Sequence, residues 1–307
     1  MKRIDVSVLV LTYNPQFLKL LKTLQSVINQ IGVTFELIVS DDGSEINHFD
    51  EIRCYLKNNN FSNYVLIENL QNKGTVQNFK RALDRASGQY VKCISPGDYL
   101  YDNYVLRDWM KFNNKNKVLV SFGRCIYYSD KKVISSGRFM QPYNKSVYSP
   151  HHYDEEAIKI QTILLGDYIC GASFLVERQL AIQYSKLIPD KILYCEDSIF
   201  RFMLFDHIKE YYFSRPVVYY EYGNGISTTK NKKWSNVIQS ELKTQNNYIC
   251  SKYEGDKFVK KYVKLKNWVF LGDSRVLKQI LITILFPKTL FLTIQDCVYL
   301  ILNKLFK

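Results

Sequence analysis

Phe35-Glu36-Leu37-Ile38-Val39-Ser40-Asp41-Asp42-Gly43-Ser44 carries the first decision about this chain. The apolar run reads as a buried strand. The two carboxylates behind it project from its carboxyl end, the edge at which open α/β sheets bind ligands. Asp-Asp-Gly is also what an ordinary turn looks like, so its neighbours decide. Upstream, Asp5-Val6-Ser7-Val8-Leu9-Val10-Leu11 is a second strand pattern, broken by Thr12-Tyr13-Asn14-Pro15. Phe17, Leu18, Leu21, Leu24, Val27 and Ile28 then recur at helical spacing. Strand, loop, helix, strand and acidic loop make a right-handed βαβ unit with both loops at one sheet edge. Downstream the pattern predicts a strand over Tyr64–Glu68, a polar loop Asn72-Lys73-Gly74-Thr75 and a helix near Val76–Ala86. A strand over Tyr90–Ile94 follows, ending in Ser95-Pro96-Gly97-Asp98. Consecutive strand ends therefore deliver polar loops to one crevice.

Composition sets the frame. At 307 residues the chain can bury a full core and hold one large domain with an appendage. Seven cysteines, an odd number with no Cys-x-x-Cys pair, argue for reduced, mostly buried thiols rather than a disulfide framework or a zinc knuckle. Met1-Lys2-Arg3-Ile4-Asp5 runs into the first strand without an apolar leader, so the expected location is the cytoplasm. His48, His151, His152 and His207 show no metal-like spacing.

The net charge of +13 is unevenly spread: from Asp256 to Lys307 there are ten Lys/Arg against three Asp. That segment is also strongly apolar, but Pro287-Lys288 and Asp296 interrupt it, so no run approaches the ~20 residues of a membrane span. Thr289, Thr293, Asp296, Asn303 and Lys307 fall on one side of a helix and apolar residues fill the rest. A basic, amphipathic, non-spanning end reads as an interfacial anchor on anionic lipid, through Lys278, Lys288, Lys304 and Lys307. The competing reading is a helical cap on the domain's own core. Without zinc-finger spacing, an RNP-like signature or basic-region heptads, the charge is not read as nucleic-acid binding. Ser227–Lys233 is the candidate linker.

Val6-Ser7-Val8 with Thr12-Tyr13-Asn14, then Ser26 and Gln30, Asp41-Asp42-Gly43-Ser44, Asn72, Gly74 and Asn78 stand in order along the chain. Gly88-Gln89-Tyr90, Gly97-Asp98-Tyr99-Leu100, Gly171 and Glu196-Asp197 continue the series. This ordered set, over about residues 4–225, resembles the family 2 glycosyltransferases. The resemblance implies an α/β GT-A fold, a Rossmann-like nucleotide-sugar-binding sheet with helices on both faces. It also implies transfer of a sugar from a nucleotide diphosphate to an acceptor. The expected organisation is a GT-A catalytic domain over 1–225 and a helical, membrane-associating C-terminal region over 226–307.

Roles follow from the resemblance. Asp42 accepts a hydrogen bond from uracil N3–H, with Thr12 and Tyr13 walling the base and Asn14 and Asp41 beside them. Asn72, Lys73 and Asn78 orient the ribose or diphosphate. Gly171 and Ala172, in Cys170-Gly171-Ala172-Ser173, lie on the acceptor side. Asp197 is the general base and Glu196 a supporting carboxylate, although an acidic pair at a helix start also stabilises a first turn without chemistry. The family's Asp-x-Asp-Asp run holds Mg2+ or Mn2+ on the diphosphate. Here it reads Ser95-Pro96-Gly97-Asp98, leaving Asp98 as the remaining metal ligand, with Ser95 and Gly97 beside the donor. Lys73 or the Lys230, Lys232 and Lys233 cluster could supply the missing positive charge. Asp98 could also cap a helix over Tyr101–Met110.

The expected activity is inverting transfer from a UDP-sugar to a lipid-linked or polysaccharide acceptor in cell-surface glycan synthesis, peripherally at the inner membrane face. The alternatives are a GT-A domain that binds donor with little or no transfer, and a basic membrane-binding scaffold.

Overall fold

A computed structural model describes residues 3–129, 132–134, 142, 144–223, 225–226, 228–229, 231–269, 281–292 and 294. All seven residues of β1 (Val6–Thr12) are buried, as a largely apolar run requires of a central parallel strand. α1 (Phe17–Ile28), β2 (Phe35–Asp41), α2 (Phe49–Asn58), β3 (Tyr64–Glu68), α3 (Thr75–Arg85) and β4 (Tyr90–Ile94) follow. β3, β2, β1 and β4 pair in that order, all parallel, with Val10 opposite both Val39 and Ile94. The strands and helices read from the first ninety-odd residues are therefore present, within a residue or two of their expected ends.

Beyond β4 the chain is less regular. β5 (Tyr99–Leu100), α4 (Val105–Asn116), β6 (Val120–Ser129), β7 (Lys132–Val133), β8 (Tyr148–Ser149) and β9 (His152–Tyr153) come first. α5 (Glu155–Ile160), β10 (Phe174–Glu177), α6 (Arg178–Ser185), α7 (Ser198–Phe205), β11 (Glu210–Glu221), α8 (Lys232–Lys252) and α9 (Lys257–Val269) complete the named elements. The sheet continues past β4 as β10-β6-β11-β5, with β10 antiparallel to both of its neighbours. β11 runs parallel to β6, so the ends of β1, β2, β4, β6 and β11 and the start of β10 share one edge.

The two faces bury separate cores. Leu20, Leu24, Ile52, Leu56 and Trp109 of α1, α2 and α4 cover one. Phe79, Phe200, Phe202, Ile249, Phe258 and Phe286 cover the other.

Three expectations are corrected here. The helix expected over Tyr101–Met110 starts only at Val105, because Tyr99–Leu100 pair with β11 first; Asp98 therefore does not cap it. Ser26 and Gln30 of α1 secure this segment: Ser26 Oγ accepts from Leu100 N at 3.0 Å and Gln30 Nε2 donates to Asp102 O at 2.5 Å. Within the candidate linker, Asn231 caps α8 by accepting from Lys233 N at 2.9 Å, and Lys232 and Lys233 belong to the helix.

The third concerns the tail. Thr289, placed on the solvent side of the expected anchor, is buried, as are Ile282, Phe286 and Leu292. Ile284, Leu290, Phe291 and Ile294 face outward instead. The inner face thus caps the core while the outer face stays apolar. Thr293, Asp296, Asn303, Lys278, Lys304 and Lys307 lie outside the described residues. Among the described residues no helix is long and apolar enough to cross a membrane.

Candidate active site

The loops after β1 and β2 are tied to each other. Asp41 accepts from Thr12 Oγ1 at 2.8 Å and from Ser44 N at 2.8 Å. Asn14 N donates to Ser44 Oγ at 2.7 Å, and Asn14 Oδ1 accepts from Glu45 N at 3.0 Å. Asp41, Asn14 and the Thr12 hydroxyl thus build the rim, whereas Tyr13 is 52% exposed on it and open to a flat ligand. Asp42 turns the other way. Its carboxylate accepts from Lys73 N at 3.1 Å and Gly74 N at 2.8 Å, fastening the β2 loop to the loop before α3. Burial raises its pKa, opposed by those two N–H bonds and by the Arg81 charge.

Asn72 Oδ1 also accepts from Gly74 N, at 3.0 Å, and the Asn72 and Lys73 side chains are exposed. Asn78 is different. Its amide donates to Ser40 O at 2.9 Å and Thr12 O at 3.4 Å and accepts from Ser40 Oγ at 2.5 Å and Asn69 Nδ2 at 3.2 Å. With every donor and acceptor used inside the protein, Asn78 braces the β1 and β2 ends against α3 and has nothing left for a ribose or diphosphate.

Gly74 sits at φ +86°, and a Cβ there would meet Leu193 O at 2.6 Å. Val76 N donates to the same carbonyl at 2.9 Å. Leu193-Tyr194-Cys195 therefore lies directly against the donor-side loop and leads into Glu196-Asp197 at the start of α7. Asp197 occupies the N-cap position of α7 but makes no side-chain capping bond, so its carboxylate is not consumed by the helix. Gly171 leaves room for it: a Cβ there would lie 3.1 Å from Asp197 Oδ2. The acceptor-side loop and the acidic pair thus meet at a narrow crevice of about 20 Å³ lined with Phe79, Phe174, Ile199 and Phe200. These apolar walls push both carboxyls upward. The Asp197 charge adds to the rise of Glu196, while the Arg201 guanidinium moderates that of Asp197.

Lys92, absent from the sequence-based site, is fully buried in β4 and donates to Ala172 O at 2.5 Å and Cys93 O at 2.6 Å. Burial lowers its pKa against the pull of nearby thiols and of Asp98. Ala172 is thereby fixed through its backbone. A lysine inside the apolar run Tyr90-Val91-Lys92-Cys93-Ile94 was the available signal.

The metal expectation fares poorly on its donor set. Asp98 is buried, accepts from Glu221 N at 2.9 Å, and burial pushes its carboxyl up to about 7. The Glu221 carboxylate packs beside Gly97 and is ion-paired with Lys19 at 2.7 Å. Ser95 is exposed and supplies no carboxylate. Among the described residues no cluster of three His, Cys, Asp or Glu could hold a metal ion. These residues do not form a divalent-cation cage. Lys230 lies outside the described residues, and Lys232 and Lys233 are exposed on α8.

Comparison with known proteins bears on the fold and the family. The structure resembles S. aureus TarS residues 1–349, with a TM-score of 0.53 and 16% identity over 80% of this chain and 65% of that one. For the same fragment in complex with UDP-GlcNAc the TM-score is 0.54, over 81% and 71%. The fold is therefore GT-A. A curated relative from Campylobacter jejuni, GalNAc(5)-diNAcBac-PP-undecaprenol beta-1,3-glucosyltransferase, is 33% identical over 121 residues. That match spans 39% of this chain and 38% of the relative. The profile described as "Glycosyl transferase family 2" matches residues 7–180, more than half of the chain, from the second residue of β1 through β10. The chain belongs to glycosyl transferase family 2.

Proposed function

We propose that the protein is an inverting glycosyltransferase that moves a sugar from a UDP-sugar to a lipid-linked or polysaccharide acceptor in bacterial surface-glycan synthesis. One observation carries the reading: Leu193-Tyr194-Cys195 brings the Asp42 loop and the Asp197 carboxylate, which makes no helix-capping bond, to the same sheet edge. In this reading uracil stacks against Tyr13 and reaches the Asp42 carboxylate, and Lys73 offers its exposed ammonium to the diphosphate. The acceptor hydroxyl enters over Gly171 and Ala172. Asp197 takes its proton as the oxygen attacks the anomeric carbon, and the nucleoside diphosphate leaves from the opposite face. The UDP-GlcNAc complex of TarS and the undecaprenol-linked substrate named for the C. jejuni relative support these substrate classes. A panel of radiolabelled nucleotide sugars, followed for hydrolysis and transfer, tests the reading; no turnover of any of them overturns it.

The donor side has its own test. Asp42→Ala should weaken UDP binding by about 1.5–3 kcal/mol, the worth of a hydrogen bond to a charged group, or roughly 10- to 150-fold in Kd. Because Asp42 also fastens the Lys73–Gly74 backbone, thermal stability is to be measured beside calorimetry. UDP affinity equal to the parent's counts against the assignment.

The outer face of the tail supports docking on an anionic membrane. Ile284, Leu290, Phe291 (62% exposed) and Ile294 present large apolar side chains to solvent in a basic region of the chain. Lys288 is engaged with Asp154 and Glu156, at 3.0 and 3.1 Å, so insertion rests mainly on the apolar residues. Full burial of one such side chain is worth about 1.5–3 kcal/mol. Replacing Leu290 and Phe291 together by serine should lower binding to anionic vesicles at least about tenfold, without loss of folding, even in salt that screens the lysines. Undiminished sedimentation with vesicles removes this surface from the reading.

A further inference from the structure

α8 lies beyond the segment that carries the family motifs, yet its buried stripe of Glu241, Gln245 and Ile249 faces the catalytic part at helical spacing. Glu241 is buried, and its carboxylate accepts from the backbone of three successive residues: Leu193 N at 2.9 Å, Tyr194 N at 3.1 Å and Cys195 N at 3.0 Å. One turn on, Gln245 and Asn246 accept from the Arg201 guanidinium at 3.0 and 2.7 Å. Arg201 is the cation that favours the charged form of Asp197.

The three amides belong to the segment that abuts Gly74 and Val76 on one side and continues into Glu196-Asp197 on the other. Tyr194 rests edge-on against Trp234 of α8, ring centroids 5.1 Å apart. Without Glu241, three adjacent N–H groups would lose a charged acceptor, and the segment would lose the bonds that set its position.

We propose that Glu241 is a positioning residue of the transfer reaction: its carboxylate holds Leu193–Cys195 so that the donor loop and the acceptor base are set by a single clamp from α8. The inference rests on the assignment of Asp197 as base for its kinetic half, and on the Gly74–Leu193 contact alone for its donor half. Charge gives it a signature of its own. The acid pair faces Arg201 from α7, Cys93 from β4, Cys195 from its own loop and Glu241 from α8. The anionic Glu241 disfavours ionisation of both Glu196 and Asp197, so neutralising it lowers their pKa values. The acid limb of the pH–rate profile then moves to lower pH.

The test uses the full chain with Glu241→Gln, Glu241→Asp and Glu241→Ala, measuring kcat, donor KM, the pH–rate profile, UDP affinity by calorimetry and thermal melting. Glu241→Gln should lose on the order of 10²-fold in kcat/KM, the cost of a catalytic group displaced by about 1 Å, and should shift the acid limb downward. Glu241→Asp should return the acid limb towards the parent's position. Glu241→Ala should also weaken UDP binding, which Asp197→Asn should not. Parent-like kcat/KM and profile in Glu241→Gln overturn the proposal. So does a loss of activity that follows melting temperature with the profile unmoved. If Asp197→Asn retains turnover the base assignment fails, and the UDP affinity of the Glu241 variants still decides the donor half; if Glu241→Ala does not fold, Glu241→Gln carries the measurement.

Discussion

Replacing Asp197 by asparagine should reduce turnover by about 10²–10⁴-fold, the contribution of a positioned general base, while UDP affinity stays near that of the parent. The asparagine keeps the shape that Gly171 accommodates, so a fall in kcat reports the lost base rather than a collapsed loop. The parent's rate should fall on the acid side as Asp197 takes up a proton. Because burial raises the pKa of this group, the fall begins above the ordinary carboxylate range. A base near the working pH is the more useful catalyst, and the apolar crevice of Phe79, Phe174 and Phe200 supplies that shift. Turnover equal to the parent's in Asp197→Asn would sink the assignment.

Phe286→Ala should destabilise the protein by about 3–5 kcal/mol in urea denaturation, the usual cost of emptying a buried phenylalanine site. Phe286 is 1% exposed, and its ring lies 5.0 Å from that of Phe258, which in turn lies 6.0 Å from Phe205 on α7. α7 follows directly on the acidic pair. Cutting the chain before Ser274 is therefore expected to cost folding and nucleotide-sugar hydrolysis together, whereas an anchor independent of the core would have left hydrolysis intact. A truncated chain with parent-like stability and hydrolysis would show that the inner face of the tail is dispensable.

The N-terminal half was legible because its signals are local. Buried parallel strands read as largely apolar runs, and the polar loops behind Leu11, Ser40 and Ile94 fall where such sheets bind ligands. Side-chain direction was not legible. The same sequence pattern that marks Asn78 as polar and loop-proximal also suits its actual work as a four-bond brace. Asp41 similarly spends its carboxylate on Thr12 and Ser44. Glu241 and Glu221 reach the site from distant parts of the chain, and no spacing rule points across such separations. In the tail, helical periodicity showed two kinds of face but not which of them met the core. Thr289 turned inward with its hydroxyl bonded to Phe286 O, and Leu290 and Phe291 turned out.

The placement of β10 has a consequence for biosynthesis. This four-residue strand joins β4, made from residues 90–94, to β6, made from residues 120–129, and among the described residues no other strand bridges them. A nascent chain can assemble β3-β2-β1-β4 early, but the outer rim of β4 then stays unpaired until Phe174–Glu177 leaves the ribosome. Translation at about 5–20 residues per second puts that interval at several seconds. Unpaired strand rims recruit other chains. A ribosome stalled between Ile94 and Phe174 therefore presents a nearly finished half-sheet with an adhesive border.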